Sequence, residues 1–414
     1  MAQVTEKSTR RTFLKRVGAV GAGSIVAAAA PFVNAKDDAG TKAGHMDRMP
    51  KRPFGKTGVD VPILGLGGVL KMSDQLVFRM AYKMGVTYWD TADSYGWGKN
   101  EKAIGKYFKK FPEDRKSIFL VTKAATSDTE ELTEKLHASF QKMNTSYVDL
   151  YFIHYVSDVK DELTPGVKAW AEKAKSQGKI RFFGFSAHKN MEASMLAAAK
   201  LGWIDGIMMS YNYRLMVKDE MKRAVEACVK AGIGLTAMKT QAAFTANFYA
   251  SIGSETDDAL NMTENFMKKG YTAEQAKLKV VWENPDIASI CSAMPNMTIL
   301  QANVAAATNR EELSGHEKAL LDRYAAQTCS GYCAGCADIC ESALDYRVPI
   351  SDLLRCSMYH FGYGDREKAL ELLDTLPPQT RASCMETDFS PAEHRCPQNI
   401  AIGRIVKTAI DALT

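Results

Sequence analysis

Eight short apolar runs, separated by helical stretches, limit this chain's fold more than any other feature. They span 61–68, 87–91, 118–123, 148–154, 180–186, 204–211, 234–239 and 288–294. Each has the length of a strand and is bounded by glycine, charged or turn residues. Amphipathic segments follow, among them 130–143, 164–177, 219–231 and 272–283. Thr164 before Pro165, and Thr272 three residues before Gln275, read as helix starts. Eight alternating units predict an α/β fold, a (β/α)₈ TIM barrel over 52–313. A doubly wound sheet is the alternative, but no Gly-x-Gly-x-x-Gly opens the first unit. Gly65-Leu66-Gly67-Gly68 has another spacing and reads as a tight strand end. Gly55-Lys56-Thr57-Gly58 lies between extended residues and predicts a hairpin turn without Walker-type spacing.

The first 35 residues read as an address. Ser8-Thr9-Arg10-Arg11-Thr12-Phe13-Leu14-Lys15 precedes an Ala- and Gly-rich apolar stretch, and Val33-Asn34-Ala35 offers a cleavage site. Paired arginines before Phe-Leu-Lys resemble a bacterial twin-arginine signal. That resemblance implies the twin-arginine export machinery as a partner and an exported, periplasmic protein whose cofactor is inserted before export. An uncleaved anchor is the other reading, but the stretch is short and diluted by glycine and serine, so no stable membrane span is expected after cleavage. Lys7, Arg10, Arg11, Lys15 and Arg16 against Glu6 carry +4 of the net +5. The remaining +1 gives nucleic-acid binding no electrostatic support. Residues 36–51 are polar and read as a linker.

Four polar residues fall at or just beyond the C-terminal ends of consecutive strands, where a barrel carries its chemistry. Asp90 closes the second run, Tyr95 follows it, Lys123 ends the third and His154 the fourth. They suit carbonyl reduction, in which a developing alkoxide needs a proton and nearby positive charge. A phenol titrates near 10, and a neighbouring ammonium is expected to lower it. Asp90 would hold the ammonium of Lys123, and His154 would orient the carbonyl oxygen.

Gly85-x₄-Asp90-Thr91-Ala92-x₂-Tyr95-Gly96, with Glu101 and Gly105 after it, resembles the aldo/keto reductase signature, and Lys123 and His154 follow at matching spacing. The resemblance covers about 52–310. It implies Tyr95 as general acid/base, tuned by Asp90 and Lys123, with His154 positioning a small carbonyl or alcohol substrate. It also implies a nicotinamide dinucleotide, NAD(P), at the strand C-termini, touching Ser186, Ser210, Met238, Lys239 and Asn303. Several positions depart from the pattern. Ala187 stands where asparagine is usual, and Met238-Lys239 where an aromatic stacks under nicotinamide. Ala293 and Ile299 stand where lysine and arginine clamp a 2′-phosphate, so the phosphorylated form has no support from them. The polar segment 240–271 is long for a loop and suits a cover over the site. Trp97 reads either as a wall of the substrate pocket or as surface packing. The histidines other than His154 read as structural or solvent-exposed.

Seven of the nine cysteines lie between Cys329 and Cys396. Cys329-x₃-Cys333-x₂-Cys336-x₃-Cys340, with Cys396-Pro397 later, resembles a ferredoxin run. Residues 314–414 are therefore expected to form a small, mainly helical domain with a [4Fe–4S] cluster. By the interleaved ligation of two-cluster ferredoxins its ligands would be Cys329, Cys333, Cys336 and Cys396, with Cys340 as an alternative. Cys340 and Cys384 are then left over; Cys228, Cys291 and Cys356 read as ordinary thiols. Disulfides or a four-cysteine zinc site are the other readings of the tail. Two functions stay open: a carbonyl/alcohol oxidoreductase, its cluster passing electrons to a redox carrier or only stapling the tail, and an electron-carrier or binding protein that keeps the barrel without hydride chemistry.

Overall fold

A computed structural model describes residues 49–68, 74–242, 265–268, 270–309 and 311–414. The expected signal segment, nearly all of the linker and most of 240–271 lie outside these residues. Among the described residues, no helix is long and apolar enough to cross a membrane.

The eight expected runs all become strands. They are β3 (Leu64–Gly67), β4 (Tyr88–Asp90), β5 (Phe119–Ala124), β6 (Val148–Ile153), β7 (Ile180–Ala187), β8 (Gly206–Ser210), β9 (Gly234–Met238) and β10 (Ile287–Ala293). They close in the order β10-β3-β4-β5-β6-β7-β8-β9. Every pairing is parallel, as in Gly67 with Asp90 and Lys123 with Phe152. The first run divides. Asp60–Pro62 (β2) pairs antiparallel with Lys51–Pro53 (β1) around the expected turn. Ile63 still donates to the Pro50 carbonyl, so barrel pairing starts only at Leu64.

Strand alternation sorts the side chains into two layers. Tyr88, Phe119, Val121, Leu150 and Phe152 fill the barrel interior. Trp89, Leu120, Tyr151 and Phe183 face outward into a second core under the helices. Phe54, carried by the hairpin, joins the inner layer and packs against Gly206 and Gly234. The helices begin where the capping residues say they should. Thr164 caps Pro165–Ser176, and capping boxes start Ala273–Trp282 at Thr272 and Gly315–Gln327 at Ser314; each cap contributes about 1 kcal/mol.

The barrel core extends past the last strand, through Leu320 and Leu321 of Gly315–Gln327 to Tyr332 and Ala334. A second core runs from Cys340 to Leu413, built by helices such as Ile350–Ser357, Arg366–Leu373 and Ile402–Leu413. The two bodies are tied at one face. Asn190 donates its backbone N–H to the Gly335 carbonyl (2.7 Å) and its amide to Asp338 (2.9 Å). Lys189 pairs with Asp352 at 3.1 Å.

Candidate active site

The period of two that fills the barrel also aims its polar residues. Tyr88 points inward on β4, so Asp90 does too; Phe119 and Val121 precede Lys123 on β5, and Leu150 and Phe152 precede His154. All three polar residues are buried at the C-terminal mouth, at 3%, 1% and 3% exposure for Asp90, Lys123 and His154. Lys123 donates to the Asp90 carboxylate and, at 2.7 Å, to the Thr91 carbonyl. Tyr95 folds back over this pair. Its ring centroid lies 5.1 Å from Lys123 Nζ and 5.8 Å from the His154 ring, edge-on. The ring rests on bare backbone at Gly68, where a Cβ would meet Tyr95 Cδ2 at 2.8 Å.

The electrostatics depart from the sequence expectation at Tyr95. The phenol is not lowered: burial, then the Asp90 charge, pushes it well above its usual range. Lys123 does not offset this burial; its hydrogen bonds go to Asp90 and the Thr91 carbonyl. Burial also raises Asp90, against the opposing pull of Lys123. His154 is held well below its usual value by burial, then by Lys123 and Lys368, and is neutral at physiological pH. Its Nδ1 has no hydrogen-bond partner among the described residues.

A cleft of about 600 Å³ opens beside Tyr95 and runs to Asn303. Of the expected cofactor residues, Met238, Lys239 and Asn303 line it. Asn303 donates to Ser292 Oγ at 3.0 Å. Ser186 is fully buried and accepts the Tyr155 N–H at 3.3 Å, while Ser210 borders a smaller neighbouring cavity. Ala293, Ile299 and Glu274 also line the cleft. Trp97 is 60% exposed and is not among the lining residues.

This geometry accompanies a match over the same stretch of chain. Residues 67–310 match a family model described as the aldo/keto reductase family. The chain belongs to the aldo/keto reductase family. An aldo-keto reductase of Fusarium vanettenii is 27% identical over 238 residues, covering 45% of this chain and 63% of that protein. A Schizosaccharomyces pombe aldo-keto reductase named for NADP(+) is 32% identical over 158 residues, covering 32% and 45%. The chain thus spans about half to two-thirds of the length of these curated relatives. Among solved structures, a thermostable aldo-keto reductase held with epalrestat is 26% identical, with a TM-score of 0.53 over 66% of this chain and 99% of that one. One from Klebsiella pneumoniae, solved with NADPH, shares the fold at 22% identity and a TM-score of 0.53, covering 67% and 95%.

Part of the mouth comes from beyond the aldo/keto reductase match. Tyr359, Tyr363, Asp365 and Lys368 of the helical tail line the cleft, opposite Tyr155 and His188 of the barrel. Lys368 Nζ stands 4.3 Å from the Tyr95 ring centroid, nearer than Lys123. His188 is not a surface histidine: burial, with Arg355 and Lys239 nearby, holds it well below its usual value. Cys291 is not an ordinary thiol either, since it lines the cleft and feels the Asp90 carboxylate. The strand-end reading that found Asp90 passed over Cys291, which lies inside β10 and not at its end. No pattern in the sequence joins Tyr359 or Lys368 to the barrel.

The tail cysteines gather in part. Cys340 feels the charges of Cys333, Cys336 and Cys396, and Cys333 feels Cys336 and Cys396. Burial pushes both the Cys333 and Cys340 thiols up to about 12. Cys329 lies in the 3₁₀ turn Cys329–Gly331, partly exposed. None of the nine cysteines is in a disulfide. Among the described residues, no three His, Cys, Asp or Glu side chains could hold a single metal ion. Cys333 borders a cavity of about 40 Å³ shared with His188 and Lys239, so this thiol backs onto the barrel mouth.

Proposed function

We propose that this protein is an oxidoreductase interconverting a small carbonyl compound and its alcohol, with Tyr95 as proton donor and acceptor. The observation that carries this reading is the convergence of Tyr95, Lys123, Asp90 and His154 at one cleft on the barrel's C-terminal mouth. Tyr95 is protonated at neutral pH, so its hydroxyl can give a proton to a carbonyl oxygen as charge develops there. Lys123, fixed by Asp90 and the Thr91 carbonyl, places a positive charge beside that oxygen. His154 is neutral and adds no competing charge; its role is to orient the substrate.

The cleft fits a nicotinamide dinucleotide in size, since small-molecule sites run about 300–1,000 Å³. When bound, that group supplies or accepts the hydride. Met238 and Asn303 would hold it, and Lys239 would stand where that group meets the substrate. The absence of a basic side chain at Ala293 and Ile299, with the acidic Glu274 elsewhere in the cleft lining, favours the dinucleotide without a 2′-phosphate.

The tail is proposed to carry one [4Fe–4S] cluster on Cys333, Cys336, Cys396 and either Cys329 or Cys340. The support is the donor chemistry: free thiols gathered in a small helical body, too loosely for one ion. Export by the twin-arginine route is proposed from Arg10-Arg11 and the residues around them.

The reaction is tested with full-length protein, anaerobically reconstituted, by following NADH or NADPH oxidation with a panel of aldehydes. Tyr95→Phe should lower kcat by about 10²–10⁴-fold while dinucleotide binding persists. A variant that keeps wild-type turnover would sink the proposal. Iron near four atoms per chain supports the cluster, and iron-free protein with intact thiols removes it.

A further inference from the structure

Lys239 and Lys368 both line the cleft, and Lys239 has no carboxylate partner for its side chain among the described residues. Lys239 leaves β9 with φ +58°, a strained conformation for a residue with a side chain. Its Nζ donates to the Tyr359 hydroxyl and stands 4.1 Å from that ring's centroid. An ammonium has three protons to give. Among the described residues Tyr359 is its one hydrogen-bond acceptor, and no carboxylate forms an ion pair with it. Lys368 reaches in from the tail helix Arg366–Leu373, over the Tyr95 ring, and is anchored by Glu371 at 3.0 Å. Its side chain is 12% exposed. Both lysines bear on Tyr359, one by hydrogen bond and the other through its charge. Burial, then repulsion from Arg355 and Lys368, weakens the hold of Lys239 on its proton. An anion seated between the two would relieve the desolvation and the repulsion together.

We infer that the substrate carries a carboxylate, which sits between Lys239 and Lys368 while its carbonyl carbon faces the hydride donor beside Tyr95. This deepens the redox reading proposed above and rests on it. The carboxylate takes no part in the reaction. When bound, a reduced dinucleotide would supply the hydride for the carbonyl carbon; Tyr95 gives its proton to the oxygen, an oxo acid becomes a hydroxy acid, and Tyr95 recovers a proton from solvent. Asp365 lines the cleft and Glu371 holds Lys368, so a second negative charge on the ligand meets repulsion. That favours a carboxylate over a phosphate dianion. The contact is separate from Tyr95 and His154, and half of it is supplied by the tail.

The test compares 4-carboxybenzaldehyde with benzaldehyde, and glyceraldehyde 3-phosphate with glyceraldehyde, on full-length protein. Wild type should prefer the carboxylated aldehyde in kcat/KM by about 10- to 100-fold, the weight of a hydrogen bond to a charged group. Lys368→Met should collapse that ratio towards one, and Lys368→Arg should keep most of it. Calorimetric titration with benzoate should weaken about tenfold or more in Lys368→Met. A ratio unchanged by Lys368→Met overturns the inference, as does a larger preference for the phosphorylated aldehyde. If no aldehyde is turned over but benzoate binding depends on Lys368, the redox reading fails and the anion site stands.

Discussion

Burial, more than pairing, sets the behaviour of the residues at this mouth. His154 and His188 are neutral bases inside the protein and ordinary ones in the unfolded chain. Below about pH 6.5 the unfolded chain takes up protons that the folded one refuses. Stability is therefore lost as pH falls from 6.5, with each histidine contributing up to about 1.4 kcal/mol per pH unit. Urea unfolding between pH 7 and 5.5 should show this fall, and His188→Gln should make it shallower. Equal slopes in the two proteins would mean that His188 titrates normally when folded. The same distinction governs what could be read from the residues. Asp90, Lys123 and His154 were legible because each stands at the C-terminal end of a strand, where a barrel opens. The direction of the Tyr95 shift was not, because it depends on how completely the neighbours exclude water and on where Lys123 spends its hydrogen bonds.

Elements were legible wherever a local rule fixes them. Thr164 and Thr272 announce helix starts by satisfying orphan N–H groups, and the structure uses both. The division of the run 61–68 was hidden, because it turns on the pairing of Ile63 with Pro50, a contact between separate elements. The join between barrel and tail was hidden for the same reason. It turns on Gly335, at φ +84°, where a Cβ would come within 2.5 Å of the His188 carbonyl oxygen. Gly335→Ala is expected to cost about 1–3 kcal/mol through strain and that close contact. Thermal unfolding should register the loss, and limited proteolysis should find the stretch between Thr328 and Cys340 cut sooner. A variant as resistant as wild type would show that the join tolerates a side chain.

At the scale of the molecule, the cleft has one wall from each core. Anything bound there touches both, so binding stabilises both against local opening. Hydrogen exchange with NADH and benzoate together should slow in Arg366–Leu373 and Met358–Gly362 as well as at the barrel's strand ends. Protection confined to the barrel would show that the tail stands clear of the ligand. The barrel itself was legible in eight apolar runs, each of which buries its own strand. Its second wall was not, since Tyr359 and Lys368 meet Lys239 and Tyr95 only after two cores have formed and docked.

The order of these parts along the chain carries a further consequence. The sheet closes when β10 pairs with β3, and by then Asp90, Lys123 and His154 are all in place. Lys368 has yet to leave the ribosome. A nascent barrel can thus be correctly folded and still have an open flank, and its cleft gains a second wall only when a later, independently cored segment settles against it.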